Sequence, residues 1–166
     1  MTAWRAMRAE DLDRVLDLAA VIHPAYPEAR AVFAERLALH PRGCLILEEE
    51  GSPCGYALTH PWRYGRPPAL DTLLAALPEH PDTYYLHDIA LLPGARGRGH
   101  AGQLLARLIA HAGELGLANL SLVAVNASRP VWERCGFSAP DMALPALASY
   151  GGTAVFMTRA LCDAGP

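Results

Sequence analysis

The chain has 166 residues, is 52% hydrophobic and carries a formal net charge of −3. That length suits one domain, residues 1–166, within the usual roughly 100–200 residues, with a core large enough to need no disulfide or metal staple. The slight acidic excess excludes a nucleic-acid binder held by phosphate contacts, and no apolar run reaches the ~18 residues of a membrane span.

Met1 to Arg8 lacks the long apolar core of a secretory signal. Thr2 to Met7 alternates and reads as a first or edge strand. Glu10 and Asp11 open a helix with Leu12, Val15, Leu16, Leu18, Ala19 and Ile22 on one broad face. His23-Pro24-Ala25-Tyr26-Pro27 breaks it. A second helix is expected from Glu28 to Leu39, with Val32, Phe33 and Leu37 inward, ended by Pro41 and Gly43. Cys44 to Leu47 and Cys54 to Thr59 read as a β-hairpin, with Glu48-Glu49-Glu50 in a solvated charged turn. His60 to Pro68 is an aromatic, Pro-rich loop, and Leu70 to Leu77 reads as a short helix.

Thr83 to Leu92 is the longest strand signal. A helix follows from Gly99 to Leu115, with Leu104, Leu105, Leu108 and Ile109 as its stripe, His111 on its surface and Gly116 as its cap. Leu117 to Val125 is a strand and Ser128 to Arg134 a short helix. Gly136-Phe137 starts an extended piece, Ala139 to Gly152 is irregular, and Thr153 to Ala160 is the last strand. The order βααββ–βαβ–αββ gives an α/β (α+β) fold with a mixed sheet, in which the helix from Gly99 joins two parallel neighbouring strands. Cys44, Cys54, Cys135 and Cys162 have neither Cys-x-x-Cys nor zinc-ligand spacing, so they read as reduced, mostly buried thiols of a cytoplasmic protein with no metal.

The most telling stretch is Leu86 to Leu105, where an apolar strand runs through a Gly- and Arg-rich turn into an amphipathic helix. Backbone N–H groups from about Gly97 to Gly102, at a helix N-terminus and beside Arg96 and Arg98, suit a phosphate. The turn lacks the Gly-Lys-Ser/Thr of a P-loop and the spacing of a dinucleotide fingerprint.

Arg96-Gly97-Arg98-Gly99-His100-Ala101 resembles the Arg/Gln-x-x-Gly-x-Gly/Ala motif of the GNAT acyl-CoA N-acetyltransferases. Asn126 to Phe137 resembles the same family's second signature: an Asn after the next strand, then a short helix closing on aromatic-x-x-x-Gly-Phe. The resemblance implies a mostly antiparallel central sheet, a splay between the fourth and fifth strands, and helices on both faces. It implies acetyl-CoA as donor, its pyrophosphate on Arg96, Gly97, Arg98, Gly99, His100, Ala101 and Gly102. The pantetheine arm would lie along Ile89, Ala90 and Leu91, near Asn126 and Trp132. Dimers are common in such a family, so a homodimer is one expected state.

For the chemistry, His87 is the candidate base, since it precedes Ile89 by two residues and an imidazole titrates near neutrality. The arylalkylamine N-acetyltransferases are similar here. Strand alternation sets Tyr85 and His87 on one face and Asp88 on the other. The usual Tyr acid is replaced by Trp132, whose indole cannot protonate a thiolate, leaving Tyr85, Tyr150 and Ser128 as alternatives. Tyr26, Trp62, Tyr64, Tyr85, Asp88 and Tyr150 are candidate contacts to the acceptor, with aromatic walls suited to a small arylalkylamine-like primary amine attacking directly in a ternary complex. The alternatives are a protein N-terminus, lysine or amino acid as acceptor, or a non-catalytic acyl-CoA-binding module.

Overall fold

In the computed structural model, which describes residues 1–161, six strands form one sheet in chain order. They are β1 (Thr2–Ala6), β2 (Cys44–Glu49), β3 (Ser52–Trp62), β4 (Thr83–Leu91), β5 (Asn119–Ala124) and β6 (Val155–Ala160). All neighbours pair antiparallel except β4 and β5. The helices are α1 (Leu12–Ile22), α2 (Arg30–Leu39), α3 (His100–Glu114) and α4 (Arg129–Arg134).

Period-two alternation divides the sheet's residues between two cores. Cys44 and Ile46 of β2, with Tyr56 and Leu58 of β3, pack under α1 and α2 against Val15, Leu18 and Phe33. Leu45 and Ala57, the intervening residues, pack with Leu104, Leu105 and Leu108 of α3 on the other face. The α3 crossover joins β4 to β5, as the parallel pairing requires. It ends where Gly116, at φ 73°, lets Leu117 N–H reach Ala112 O and Gly116 N–H reach Gly113 O. This closing pair of bonds satisfies carbonyls that the last turn would otherwise leave bare.

Several sequence expectations need correction. Leu70 to Leu77 forms no helix, because its amides are taken by side chains instead. Asp71 N–H donates to Glu28, and the Leu74 and Ala75 amides donate to Glu35. β3 runs on through His60 and Pro61 to Trp62, where a loop was expected, because these residues pair with Thr83 to Tyr85 of β4. The extended piece after Gly136 is a single bridge, Ser138 to Thr158. Glu48 and Glu49 lie in β2 rather than in a bare turn: Glu48 accepts two bonds from Arg5, and Glu49 pairs with Arg98 at 2.7 Å.

His111 is buried rather than on the surface, with Nε2 2.9 Å from His40 Nε2 and the two rings stacked at 5.1 Å. Tyr84 meets both rings edge-on. Cys44 and Cys54 are buried thiols and Cys135 is half-buried, all free; Cys162 lies outside the described residues. No described helix is long and apolar enough to cross a membrane. Among the described residues, no cluster of three or more His, Cys, Asp or Glu could hold a metal.

Burial, then the charges of His111 and Arg42, pull His40 down to about 4. A half-buried histidine held neutral costs stability in acid, because the unfolded chain takes up a proton that the fold refuses. Its contribution is complete above pH 6.5, the ordinary histidine value, and is lost as pH falls toward 4. The melting temperature is therefore expected to drop through that window, and His40→Gln should flatten the drop in thermal melts recorded from pH 7 to 4.

Candidate functional site

The parallel pairing of β4 with β5 extends only over Tyr84–Leu86 against Leu120–Leu122. Beyond Leu86 the two strands part, while β5 stays paired with β6 to Ala124. The β4 edge from His87 to Leu91 thus lacks a strand partner on that side.

A β-bulge sits at the fork. Leu58 lies opposite Asp88 and Thr59 opposite Leu86, so His87 is an extra residue with no partner on β3. A bulge kinks its strand and re-aims the side chains beyond it. Tyr84 and Leu86 belong to the α3 core, but Ala90 belongs to the α1/α2 core, and Asp88 accepts from the Tyr56 hydroxyl on that same face. Strict alternation had set Asp88 opposite His87. The bulge instead brings both to one pocket.

Each of the two is part of a His–carboxylate pair. His87 Nε2 lies 2.8 Å from Glu28 Oε1, with the two side chains 0% and 4% exposed. Burial pushes the Glu28 carboxyl up, but the bond and charge of His87, the Asp71 amide and Arg36 outweigh it and hold the group below its ordinary value. An ionised carboxylate only accepts, so Nε2 carries the hydrogen and a neutral His87 keeps its lone pair on Nδ1. That Nδ1 is buried and has no hydrogen-bond partner.

In the second pair His23 Nε2 lies 3.2 Å from Asp88 Oδ1, while Asp88 Oδ2 takes the Tyr56 hydroxyl at 2.6 Å. The Asp88 bond raises His23 above the ordinary histidine value, against burial and the charge of Arg96. His23 caps the C-terminus of α1, where Pro24 stops the helix. α2 then begins at Arg30 rather than Glu28, because Ala29 is extended and its amide donates to the Asp71 carboxylate at 2.6 Å. Sequence reasoning gave Glu28 and Tyr56 no functional role and took His23 only as the first residue of a loop, His23 to Pro27, that helps build the acceptor site. The signal was present in acidic and imidazole groups flanking two prolines.

The pocket between these pairs has a volume of about 40 Å³ and is lined by His23, Tyr26, Glu28, Leu70, His87, Asp88, Val123, Val125 and Tyr150. Tyr26, His87, Asp88 and Tyr150 therefore come together around one pocket. Tyr85 lies just below, 1% exposed, its hydroxyl 3.4 Å from that of Tyr150. Trp62 and Tyr64 do not line the pocket. The Trp62 indole donates to Arg66 O, and the Tyr64 ring meets Phe156 edge-on.

At the other end of the open edge, residues 93–95 form one turn of 3-10 helix and Arg96 Nε donates to Leu91 O. Gly97 and Gly99 take φ of 71° and 84°, a left-handed conformation that side chains disfavour. Nothing lies within 4 Å of where a Cβ would stand at Gly97, Gly99 or Gly102. Among the described residues, the amides of 97–102 find neither a backbone nor a side-chain acceptor, so they present a free row of donors at the start of α3. The α3 start is fixed by the Trp4 indole, which donates to His100 O at 2.9 Å. The His100 ring is buried and points to Gln103, and Ala101 is half-buried in the first turn. Asn126 follows β5 with φ 53°, and Trp132 of α4 meets Phe137 edge-on beside the α3 core.

A model of the acetyltransferase (GNAT) family matches residues 6–137. Among solved structures, the loading GNATL domain of CurA from Lyngbya majuscula is similar with a TM-score of 0.79 at 13% identity, over 97% of this chain and 98% of that one. The ribosomal-protein-S18-alanine N-acetyltransferase of Escherichia coli is similar with a TM-score of 0.67 at 22% identity, over 99% and 97%. Naa50 of Arabidopsis thaliana, in complex with the bisubstrate analogue CoA-Ac-MVNAL, gives 0.71 at 12%, over 95% and 97%. At such identities the likeness is one of fold. No curated protein sequence matches the chain.

Removing the Glu28 carboxylate leaves a buried imidazole N–H without its acceptor. Glu28→Ala is expected to lower unfolding stability by about 1–3 kcal/mol in urea titrations. It should also turn the single His87 tautomer into a mixture in nitrogen-15 NMR spectra. A single unchanged tautomer would contradict the pairing.

Proposed function

The chain belongs to the acetyltransferase (GNAT) family, and from that premise we propose that it transfers an acetyl group from acetyl-CoA to the nitrogen of a small primary amine. The observation that carries this reading is the unpaired β4 edge, with a free row of amides at one end and a carboxylate- and imidazole-lined pocket at the other. An extended amide-bearing arm can hydrogen-bond along Ile89, Ala90 and Leu91 as an added strand does. Its phosphates would meet the amides of Gly97 to Gly102, with Arg96 and Arg98 supplying charge. The open space at Gly97, Gly99 and Gly102 fits a group that must approach the backbone closely. Asn126 and Trp132 would flank the arm from the β5 side.

In the pocket, Asp88 and Glu28 draw an ammonium group in, and Tyr26 and Tyr150 form its walls. Attack needs a neutral amine. The extra ammonium proton goes to solvent, and His87, fixed by Glu28 with its lone pair on Nδ1, takes the proton that the nitrogen sheds as the amide forms. The backbone of β4 beyond the bulge offers N–H groups to the carbonyl oxygen, where negative charge develops. Tyr85 shapes the floor. With Trp62 and Tyr64 outside the pocket, only tyrosines remain to meet an aryl group. Amino acids, lysines and protein N-termini remain as other acceptors, and a binding module without turnover as the other class.

Acetyl-CoA at a hundredfold over its Kd is expected to stabilise the fold by about 2.7 kcal/mol, about 5–10 °C in a melt of a domain this size. Gly99→Val should weaken binding by about tenfold or more, because the added side chain strains a left-handed turn. A panel of primary amines with thiol release as readout should give amine-dependent turnover, and His87→Ala should lower kcat by about a hundredfold or more. No stabilisation by acetyl-CoA would refute the coenzyme reading. Stabilisation without turnover on any amine would leave the binding-module reading.

A further inference from the structure

We propose that His23, held by Asp88, is the acid of the transfer: its Nδ1 gives a proton to the departing sulfur of coenzyme A while His87 takes one from the amine. The inference rests on the acetyl-CoA reading above and deepens it. The reaction forms a bond from the amine nitrogen to the acetyl carbon and breaks the carbon–sulfur bond, whose electron pair goes to sulfur. The amine enters the step neutral, its extra ammonium proton already released to solvent. Nitrogen then gives one proton to His87 as the amide forms and sulfur receives one from His23, so amine and thioester become amide and thiol, and both imidazoles exchange protons through the pocket once the products leave.

The usual aromatic acid is absent. Trp132 holds the position that the family resemblance gives to a tyrosine, and an indole N–H does not protonate a thiolate. Tyr150 and Tyr85, the tyrosines that the sequence offers as donors, are committed, and Tyr26 on the pocket wall is a neutral phenol that cannot supply the positive charge the titration below reads. The Tyr150 hydroxyl donates to Pro68 O at 2.7 Å, and burial pushes that phenol up to about 12. Tyr85 is fully enclosed, and burial drives it well above the ordinary phenol range. The Ser128 hydroxyl is far too weak an acid to protonate a thiolate.

His23 is built otherwise. It lines the pocket beside Asp88, at the point where the free β4 edge begins. Asp88 cannot turn away, because its other oxygen is held by the buried Tyr56 hydroxyl. The imidazole also stands at the C-terminus of the 11-residue α1, where the helix dipole favours a cation. With Nε2 on Asp88, Nδ1 is the only free ring nitrogen, and it has no partner. Asp88, the helix dipole and the nearby Ile89 backbone favour the charged ring, while burial and Arg96 oppose it, and the net shift is upward. The two pairs thus differ in kind. The His87 side chain and its carboxylate are 0% and 4% exposed, whereas the His23 ring is 20% exposed, with the Nδ1 atom of each turned inward.

The proposal is tested without knowing the amine. Coenzyme A labelled with carbon-13 at the carbon bearing sulfur is bound to the full chain, and its thiol is titrated by NMR. A cation beside the sulfur should lower the bound thiol's pKa by about one unit or more relative to free coenzyme A, as positive neighbours do for cysteine. His23→Gln and, independently, Asp88→Asn should each remove most of that shift, with folding verified by thermal melts, while His87→Gln should keep it. A bound thiol that titrates as free coenzyme A does, or a shift abolished by His87→Gln and retained in His23→Gln, overturns the assignment. Failure of coenzyme A to raise the melting temperature of the wild-type chain would instead overturn the coenzyme reading on which it rests.

Discussion

The pairing of β4 with β5 stops at Leu86, and the fork that follows is the constraint around which the rest is arranged. Parallel strands fed by a crossover helix would normally stay paired along their length. Here the bulge at His87 kinks β4 away just as β5 follows β6 in the other direction. Two rows of backbone groups are left facing a gap instead of each other. Exposed strand edges are liabilities that proteins cover or blunt, and an edge kept open beside a pocket of ionisable groups is fitted for a ligand's own backbone-like amides.

The same bulge sets the chemistry. It turns Asp88 onto the α1/α2 face beside His87, and the Pro-rich loop after α1 places His23 and Glu28 opposite them. Two carboxylates then orient two imidazoles through their Nε2 atoms, at 2.8 and 3.2 Å, leaving both Nδ1 atoms free. The environments of the pairs differ, one enclosed and one near solvent at a helix end, and it is such differences that separate a base from an acid. At the far end of the gap, Gly97 and Gly99 in left-handed conformations aim a row of amides outward at the start of α3.

Much of this was legible in the sequence. The Gly- and Arg-rich turn between a strand and a helix announces its own geometry, because left-handed residues and helix starts have local signatures. The strand order followed from period-two and helical patterns, and Asn126 to Phe137 supplied the second family signature. What stayed hidden depends on contacts far apart in the chain. Glu28 and His87 are 59 residues apart, and His40 and His111 are 71 apart. The bulge carries no glycine or other local mark, so alternation continued through His87 on paper and set Asp88 on the wrong face. Leu70 to Leu77 had helical composition, but Glu28 and Glu35 captured its amides.

The central claim is that the open β4 edge and the turn before α3 hold one extended ligand together. Hydrogen–deuterium exchange with and without acetyl-CoA addresses it residue by residue, since an amide that gains an acceptor exchanges more slowly. The account requires slowed exchange in Ile89–Leu91 and in residues 97–102 together, with little change in the β1–β2 pair. Protection confined to one of the two segments, or appearing elsewhere in the sheet while both stay unchanged, would contradict it.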